Sequence, residues 1–539
     1  MRSSMESSWL ELYRTQEQRM MASAENPLTE ELAKFVQEKL DEWKVPGISV
    51  GVIDKDQVYT AGYGTATLPD TPATPETLWY AGSTTKAFTG AVIAQLIHSN
   101  KYPALEKGWQ TTISSILRED FVLQDEWATN HLTLEDAVSH RTGMPRHDQS
   151  ASRLLDDGDG GKRHATVKDV TRNLRNLRLS EEPRVKFQYC NLMYGVLSHV
   201  VETVTGKPFG EVMRELIFEP LGMTSTYLSL DDARASPKHL SAGYYWDEKT
   251  SKYVLVEDVS VIEHGGAGAI ISNTEDYAKW AKCMLLGKAP FSAAVHKDIR
   301  TPRIVQSMPN GGKDVTTYAL GWDRVLYHGH PLYSHGGGMM AAGSTVIWLP
   351  DDKLGLVAFG NTSITSNAVI DTVLYKLLDE KLGIAPEKRT DAAKGWRSVI
   401  DHFIQSYEKS MDNLFPKRPN PPIPSPVSVK DLAGKYYDPG YKTIELRAEP
   451  HPDKQGEEIL VAERDDATWL IHMRLHHVSG TWWIMYAMEM GSPNLFRECE
   501  QVEFKIGHDG RATALEVDFY SLIGNQHEGK VVFNRVTEA

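Results

Sequence analysis

Six of the eleven residues from Pro416 to Pro426 are proline. Each proline fixes φ and removes a backbone N–H, so this segment is neither helix nor inner strand. It predicts an extended, semi-rigid linker, and the chain must fold as separate pieces on its two sides. The two sides differ in texture. Beyond the linker, Ile471, Met473 and Leu475 alternate with His472, Arg474 and His476. Val502, Phe504 and Ile506 alternate with Glu503 and Lys505, and Leu515, Val517 and Phe519 with Glu516 and Asp518. This period of two, with turns at Ser479-Gly480 and Asp509-Gly510, predicts short strands forming a small antiparallel barrel.

Ahead of the linker the pattern is mixed. Residues 5–23 (Trp9, Leu10, Tyr13, Met20) read as a short amphipathic helix, and Glu30 to Trp43 as a second. Two β-rich runs, Ile48–Ile53 and Val58–Ala61, flank the polar turn Asp54-Lys55-Asp56. A matching hairpin spans Ser344–Trp348 and Leu354–Phe359, followed by a helix at about 367–382. Helical segments fill the interval, which predicts one antiparallel sheet closed by strands from both ends of the region. Residues 392–414 put Trp396, Val399, Ile400, Phe403, Ile404, Tyr407 and Met411 on one helical face.

The chain has 539 residues and a net charge of −14, with 41% apolar residues. A large core can be buried, and disorder is excluded as a global description. The acidic balance argues against nucleic-acid partners and an anionic-membrane surface, which need clustered Lys and Arg. No stretch of about 18 apolar residues is present, so membrane insertion is not expected. The first 30 residues lack a signal-peptide apolar run, and Cys190, Cys283 and Cys499 are few and far apart. The expected compartment is cytoplasmic.

Several chemical motifs carry little. His328, His330 and His335 lie close in sequence, but no carboxylate is spaced to complete a metal site, and no metal or other cofactor is expected. Gly265-Gly266-Ala267-Gly268 and Gly336-Gly337-Gly338 match neither nucleotide-loop pattern, and no G-x-S-x-G elbow exists. His140, Arg141, His147 and Asp148 cluster in SHRTGMPRHD, which reads as a satisfied polar loop.

Ser83-Thr84-Thr85-Lys86 carries more. Trp79–Gly82 leads into it, and Phe88, Val92, Ile93, Leu96 and Ile97 form a buried stripe after it, so Ser83 sits at a helix N-terminus. Residues three apart share a helix face, which sets the Lys86 amine beside the Ser83 hydroxyl. A serine needs such a base, and a lysine serves once burial lowers its pKa. A second S-x-x-K, Ser406 to Lys409, lies inside the helix before the linker and reads as a solvated face. Company separates the two. Downstream of Ser83 come Tyr189-Cys190-Asn191, in a loop entering a helix, and His335-Gly336-Gly337-Gly338, ahead of a strand pair. A Tyr189 phenol can share the Ser83 proton, and a cationic Lys86 beside it would lower its pKa. Asn191 can orient Lys86 and a substrate carbonyl, or cap the helix. The glycines permit close backbone approach to a substrate.

In this order the residues resemble the serine β-lactamase and penicillin-binding-protein family, above all its class C β-lactamase, esterase and D-aminopeptidase-like branch. S-x-T-K matches at Ser83–Lys86, Y-x-N at Tyr189–Asn191, and H-x-G at His335–Gly337 stands where β-lactamases carry K-T-G. SHRTGMPRHD (139–148), ETVTGKPFGEVMRELIFEPLGM (202–223) and GGAGAIISNTEDYAKW (265–280) are also similar, and the likeness covers roughly 28–385. It implies an α+β fold: a β-lactamase/transpeptidase-like antiparallel sheet flanked by helices, plus an all-helical subdomain. The tail resembles a small all-β lipocalin-like barrel. The division expected is 1–27, an N-terminal helical extension; 28–385, the catalytic domain; 386–428, helix and proline-rich linker; and 429–539, the lipocalin-like domain.

The resemblance implies Ser83 as nucleophile, Lys86 and Tyr189 as base/acid pair, and Asn191 as orienting group. The N–H groups of Ser83 and of Gly338, on an edge strand, would form the oxyanion hole, with His335 and Gly337 on the substrate side. A largely neutral His335 cannot replace the lysine charge that receives an antibiotic carboxylate, so an ester, thioester or amide of a small molecule or peptide is the expected substrate. Cys190, commonly serine in the family, is a small change. The leading reading is a serine hydrolase. An acyltransferase on the same acyl-enzyme is the alternative, and a non-catalytic, assembly-forming member a third. A homo-oligomer is compatible with all three. The barrel braces the catalytic domain or binds a ligand itself; Trp469, Trp482 and Trp483 fit a core better than a ligand cage.

Overall fold

A computed structural model describes residues 26–310 and 312–537. The helix expected at 5–23 lies outside them. Helix α1 (Glu30–Trp43) starts where Thr29 accepts the Leu32 N–H, and buries Leu32, Val36, Leu40 and Trp43 along one face. The strands that follow are β1 (Gly47–Asp54), β2 (Gln57–Thr67) and β3 (Thr71–Pro72). Near the end of this region come β4 (Ile304–Ser307), β5 (Thr316–Tyr318), β6 (Asp323–Tyr327), β7 (His330–Met339), β8 (Ala342–Leu349) and β9 (Leu354–Gly360). Together they form a nine-stranded sheet in the order β4-β5-β6-β7-β8-β9-β1-β2-β3. The expected closure occurs at β1 and β9, which pair antiparallel with Ile48 opposite Gly360.

The central strands are buried on both faces, which is why their sequence runs continuously apolar instead of alternating. Leu354, Leu356 and Ala358 of β9 pack with α1 and with α5 (Thr365–Lys381). Val357 and Phe359 face the opposite layer, which holds α2 (Thr85–His98) and α4 (Thr274–Leu286). Helix α2 is enclosed almost all round, and its Phe88 stacks on Trp280 at 4.0 Å, an aromatic pair contributing about 0.5–1.5 kcal/mol beyond its buried area. The neighbouring α3 (Asn191–Thr205) packs on α2 across the helical layer.

Helix α6 (Ala392–Glu408) departs from its predicted stripe. Trp396 and Ile400 join the core behind the sheet and Phe403 is buried, whereas Val399 and Ile404 are exposed. One apolar face here serves two neighbours, the sheet layer and an open cavity. The proline segment does not span free space either. The Ile423 N–H donates to Ser479 and the Ile423 carbonyl accepts from Gly480 N–H, which pins the linker along the barrel.

The barrel is closed, with eight antiparallel strands: β10 (Gly434–Asp438), β11 (Lys442–Pro450), β12 (Glu458–Arg464), β13 (Ile471–Ser479), β14 (Trp482–Glu489), β15 (Arg497–Ile506), β16 (Ala512–Ser521) and β17 (Gln526–Arg535). Its interior is filled by Tyr436, Trp483, Phe504, Leu515 and Phe533. Of the three tryptophans weighed from sequence, Trp483 is core, Trp482 packs on Phe415 outside, and Trp469 borders the cavity described below. Among the described residues no helix is long and apolar enough to cross a membrane.

Candidate active site

Strand residues Trp79–Tyr80 pair with Ile271–Ser272, and the chain then turns through Gly82 at φ 53° into a short helical turn, Gly82–Thr84. A Cβ on Gly82 would lie 2.8 Å from the Gly338 nitrogen, so only glycine lets this turn close against β7. Ser344 Oγ donates to the Ala81 carbonyl at 2.6 Å and ties the same turn to β8. Ser83 is left half-buried at the start of α2, beside Gly338.

The Lys86 side chain is wholly buried and its Nζ has three neighbours: Ser83 Oγ at 3.1 Å, Asn191 Oδ1 at 2.8 Å and the Ala267 carbonyl at 2.8 Å. Two of these only accept hydrogen bonds. A neutral amine has two N–H groups for them and one lone pair left, directed at the group that can donate, the Ser83 hydroxyl. Burial, and then the nearby Arg146 cation, hold the Lys86 pKa well below its ordinary value. Gly265–Gly268 forms the short helix that brings the Ala267 carbonyl in, and a Cβ on Gly266 would collide with Ser198 and Tyr194. That glycine run is structural: it seats the carbonyl that holds Lys86.

Asn191 is the first residue of α3, and Cys190 occupies the cap position. The Asn191 amide is used elsewhere: Oδ1 receives Lys86, and Nδ2 donates to Asp148 Oδ1 at 3.0 Å. Asp148 therefore sets which way the amide faces. Its other oxygen accepts Arg146 Nε at 2.6 Å, and the Arg146 guanidinium lies 5.1 Å from the Tyr189 ring centre. The SHRTGMPRHD loop is accordingly only partly the satisfied loop read from sequence. Arg141 is tied to Asp136 and Glu135, while Arg146 and Asp148 border the cavity that Ser83 also borders. His140 stacks on Tyr189 at 4.2 Å and accepts the Cys190 N–H at Nδ1.

The Tyr189 phenol lies beside the Ser83 hydroxyl, and the Lys86 amine sits 4.8 Å from its ring centre. The expected lowering of its pKa does not occur. Burial pushes it above the ordinary tyrosine value, against the opposing pull of Ser83 and Arg146, because the lysine meant to lower it is itself held toward neutrality. His335 Nδ1 lies 2.6 Å from the Gly336 carbonyl, so that nitrogen carries the proton, and Nε2 accepts from Tyr318 at 3.0 Å. Burial, then Lys86, push its pKa down to about 3, and the ring is neutral.

The three glycines lie within β7 rather than ahead of it, and β7 is not an outer strand. Residues 330–334 pair with β6; beyond Ser334 that neighbour has ended, so Gly336–Gly338 form a local free edge that faces the Ser83 turn. Ser83, Tyr189, His335, Gly337 and Gly338 border one cavity of about 2090 Å³, with Lys86 and Asn191 bonded directly behind. Its far end reaches Trp396, Val399 and Phe403 of α6, and its side wall is the barrel, through Trp469, Ile471, Glu489, Glu498 and the loop Ser521–Gln526. Gln526 clamps the two parts, accepting from the Arg146 N–H at 2.8 Å and donating to the Tyr189 carbonyl. Ser406 and Lys409 do not reach this cavity, and Lys409 is exposed. His330 pairs with Asp352, and no trio of His, Cys, Asp or Glu among the described residues could hold a metal ion.

The sequence model of the Beta-lactamase family matches residues 32–379. The chain is 36% identical to "Unguisins hydrolase ungD'" of Aspergillus campestris over 504 residues, 93% of this chain and 91% of that protein. It is 34% identical to "Unguisins hydrolase ungD" of Aspergillus violaceofuscus, covering 93% and 89%. The fold is similar to the octameric penicillin-binding protein homologue from Pyrococcus abyssi: TM-score 0.57, 20% identity, 93% of this chain and 99% of that one.

Proposed function

The chain belongs to the beta-lactamase family and is a serine hydrolase of it, and we propose that it works through an acyl intermediate on Ser83. The observation that carries this reading is the Lys86 amine, whose two fixed acceptors leave its lone pair for the Ser83 hydroxyl. Ser83 Oγ attacks the substrate carbonyl carbon and its proton passes to Lys86 Nζ. The N–H groups of Ser83 and Gly338 receive the oxyanion. Tyr189, protonated by virtue of its raised pKa, gives its proton to the leaving group as the scissile bond breaks, and recovers one from Lys86. Water then adds to the acyl-Ser83 by the same route in reverse. Asn191 and Asp148 hold the base, and His335 and Gly337 shape the pocket.

The substrate class is an ester, thioester or amide without an obligatory carboxylate, because neutral His335 offers no cation to receive one. A cavity of about 2090 Å³ exceeds the roughly 300–1,000 Å³ of ordinary small-molecule sites, which favours a multi-residue, peptide-like substrate. The names of the two fungal relatives, hydrolases of unguisins, support water as the acceptor. The same room beside Ser83 admits a second molecule, and that favours acyl transfer as the alternative outcome. The test is incubation with a fluorophosphonate, read by intact mass and peptide mapping. Label on Ser83, absent in Ser83→Ala at an unchanged melting temperature, is expected; a label elsewhere, or continued turnover by Ser83→Ala, rejects the assignment.

A further inference from the structure

The barrel wall opposite Ser83 carries three carboxyl groups, Glu489, Glu498 and Glu528. Gly491, two residues after Glu489, packs so closely on Met340 that a Cβ there would lie 1.9 Å from the Met340 carbonyl oxygen. Met340 is two residues after Gly338, so the end of β14 is set against the strand expected to hold the reacting carbonyl. Glu489 borders the cavity there, and among the described residues no donor reaches its carboxylate. Beside it Gln149 Nε2 donates to Glu498 Oε2 at 2.7 Å, which fixes the amide and leaves Gln149 Oε1 buried and without a partner. Gln149 is 7% exposed. The neighbouring cation, Arg146, is already engaged by Asp148.

We infer that Glu489, with Gln149 and Glu498, forms a subsite for a primary ammonium group carried by the acyl substrate. An ammonium donates three hydrogen bonds and accepts none, which matches the free oxygens on this wall. Trp469, on the same wall, adds an indole N–H without a partner for a carbonyl of the same molecule. The cavity's Lys313 does not compete, since it faces Tyr375, Asp371 and Asp323. Burial, then Glu498, raise Glu489 to about 8, so an arriving cation draws off its proton. The inference rests on the acyl-Ser83 reading for where the substrate is cleaved, but not for whether the ammonium binds.

The test is protection of Ser83 from a neutral alkyl fluorophosphonate by benzylammonium or by benzyl alcohol, each rate taken relative to the same variant without protector. Benzylammonium is expected to protect at concentrations about tenfold lower, the worth of one charge-assisted hydrogen bond. That advantage falls to about threefold or less in Glu489→Gln and shrinks in Gln149→Leu, with melting curves confirming that each variant is folded. Equal protection by the two compounds, or an undiminished advantage in Glu489→Gln, overturns the subsite. If Ser83 takes no label, the acyl-serine reading fails. Calorimetric titration of the same two compounds then decides the ammonium site on its own.

Discussion

Two walls of one cavity have opposite chemistry. On the Ser83 side burial disfavours the protons of the basic groups: Lys86 is held toward the neutral amine, and His335 and His140 are neutral. On the barrel side burial keeps protons on the acids: Glu489 and Glu528 rise to about 8, and Glu498 rises too. The same desolvation acts on both, and the sign follows from whether the charged form of the group is acid or base. One wall thus favours the free base, and the other favours the protonated acid.

The contrast can be broken most severely at Lys86. Lys86→Ala removes the lone pair aimed at Ser83 and is expected to lower kcat/KM by about a thousandfold or more, because nucleophile and base act as one unit. A rate near that of the parent would reject the neutral-base assignment. In the parent, activity is expected to fall as pH drops through the lowered Lys86 pKa, while the raised Tyr189 pKa keeps the alkaline side flat to about pH 10. Tyr189→Phe comes next, with a loss of about 10²–10⁴, the range for one positioned proton donor; an ester with a better leaving group should narrow the loss, and an equal loss with good and poor leaving groups would remove Tyr189 as the acid.

The barrel wall gives a smaller and opposite signal. Glu528 accepts from the His147 N–H and from Tyr441, and its carboxyl stays protonated to about pH 8 in the folded chain against a usual 4.5. A raised carboxyl pKa means that stability is lost as pH climbs between those two values. Glu528→Gln is therefore expected to lose less melting temperature between pH 6 and pH 9 than the parent does, by a few degrees at most. Identical pH dependence in scanning calorimetry would show that Glu528 is not buried as a protonated acid. Smallest of all is Ser406→Ala, expected to leave activity unchanged; a clear loss would give the second S-x-x-K a part in the site.

Much of the Ser83 wall was legible because its residues stand at spacings that helices enforce. Ser83 and Lys86 share a turn, and the hairpins at Ile48 and Ser344 announce a sheet by their β-rich apolar runs on either side of polar turns. Three things escaped. Asp148 looked like an ordinary loop carboxylate, since nothing local reveals that its partner is Asn191, 43 residues on. The Tyr189 pKa was read from its neighbour's charge, whereas burial, which is a tertiary property, decides it. Glu489 and Glu498 stand on the inward register of their strands, in step with Trp483 and Ala487 and with Val502 and Phe504, where alternation calls for apolar residues; only the seating of the barrel's end against the catalytic region makes that end a cavity wall. The glycines of GGAGAI carried a signal for the Ala267 carbonyl, a demand for close helix contact, that composition alone did not interpret.

The closing contact of the sheet has a consequence for how the chain comes into being. The Gly47 N–H donates to Asn361 Oδ1 at 3.0 Å, a bond between residues 314 apart in sequence. Loops that long are slow to close, and their strands wait unpaired while they do. A nascent chain emerging from its N-terminus holds the Ser83 turn early, but β7, β8 and β9, which complete the sheet around it, arrive more than 240 residues later, with α5, the α6 segment, the linker and the barrel still to follow. Reactivity at Ser83 should therefore appear late and abruptly during synthesis, and until then the apolar strand Gly47–Asp54, buried along its whole length in the finished fold, is an open edge for a chaperone or for another copy of itself.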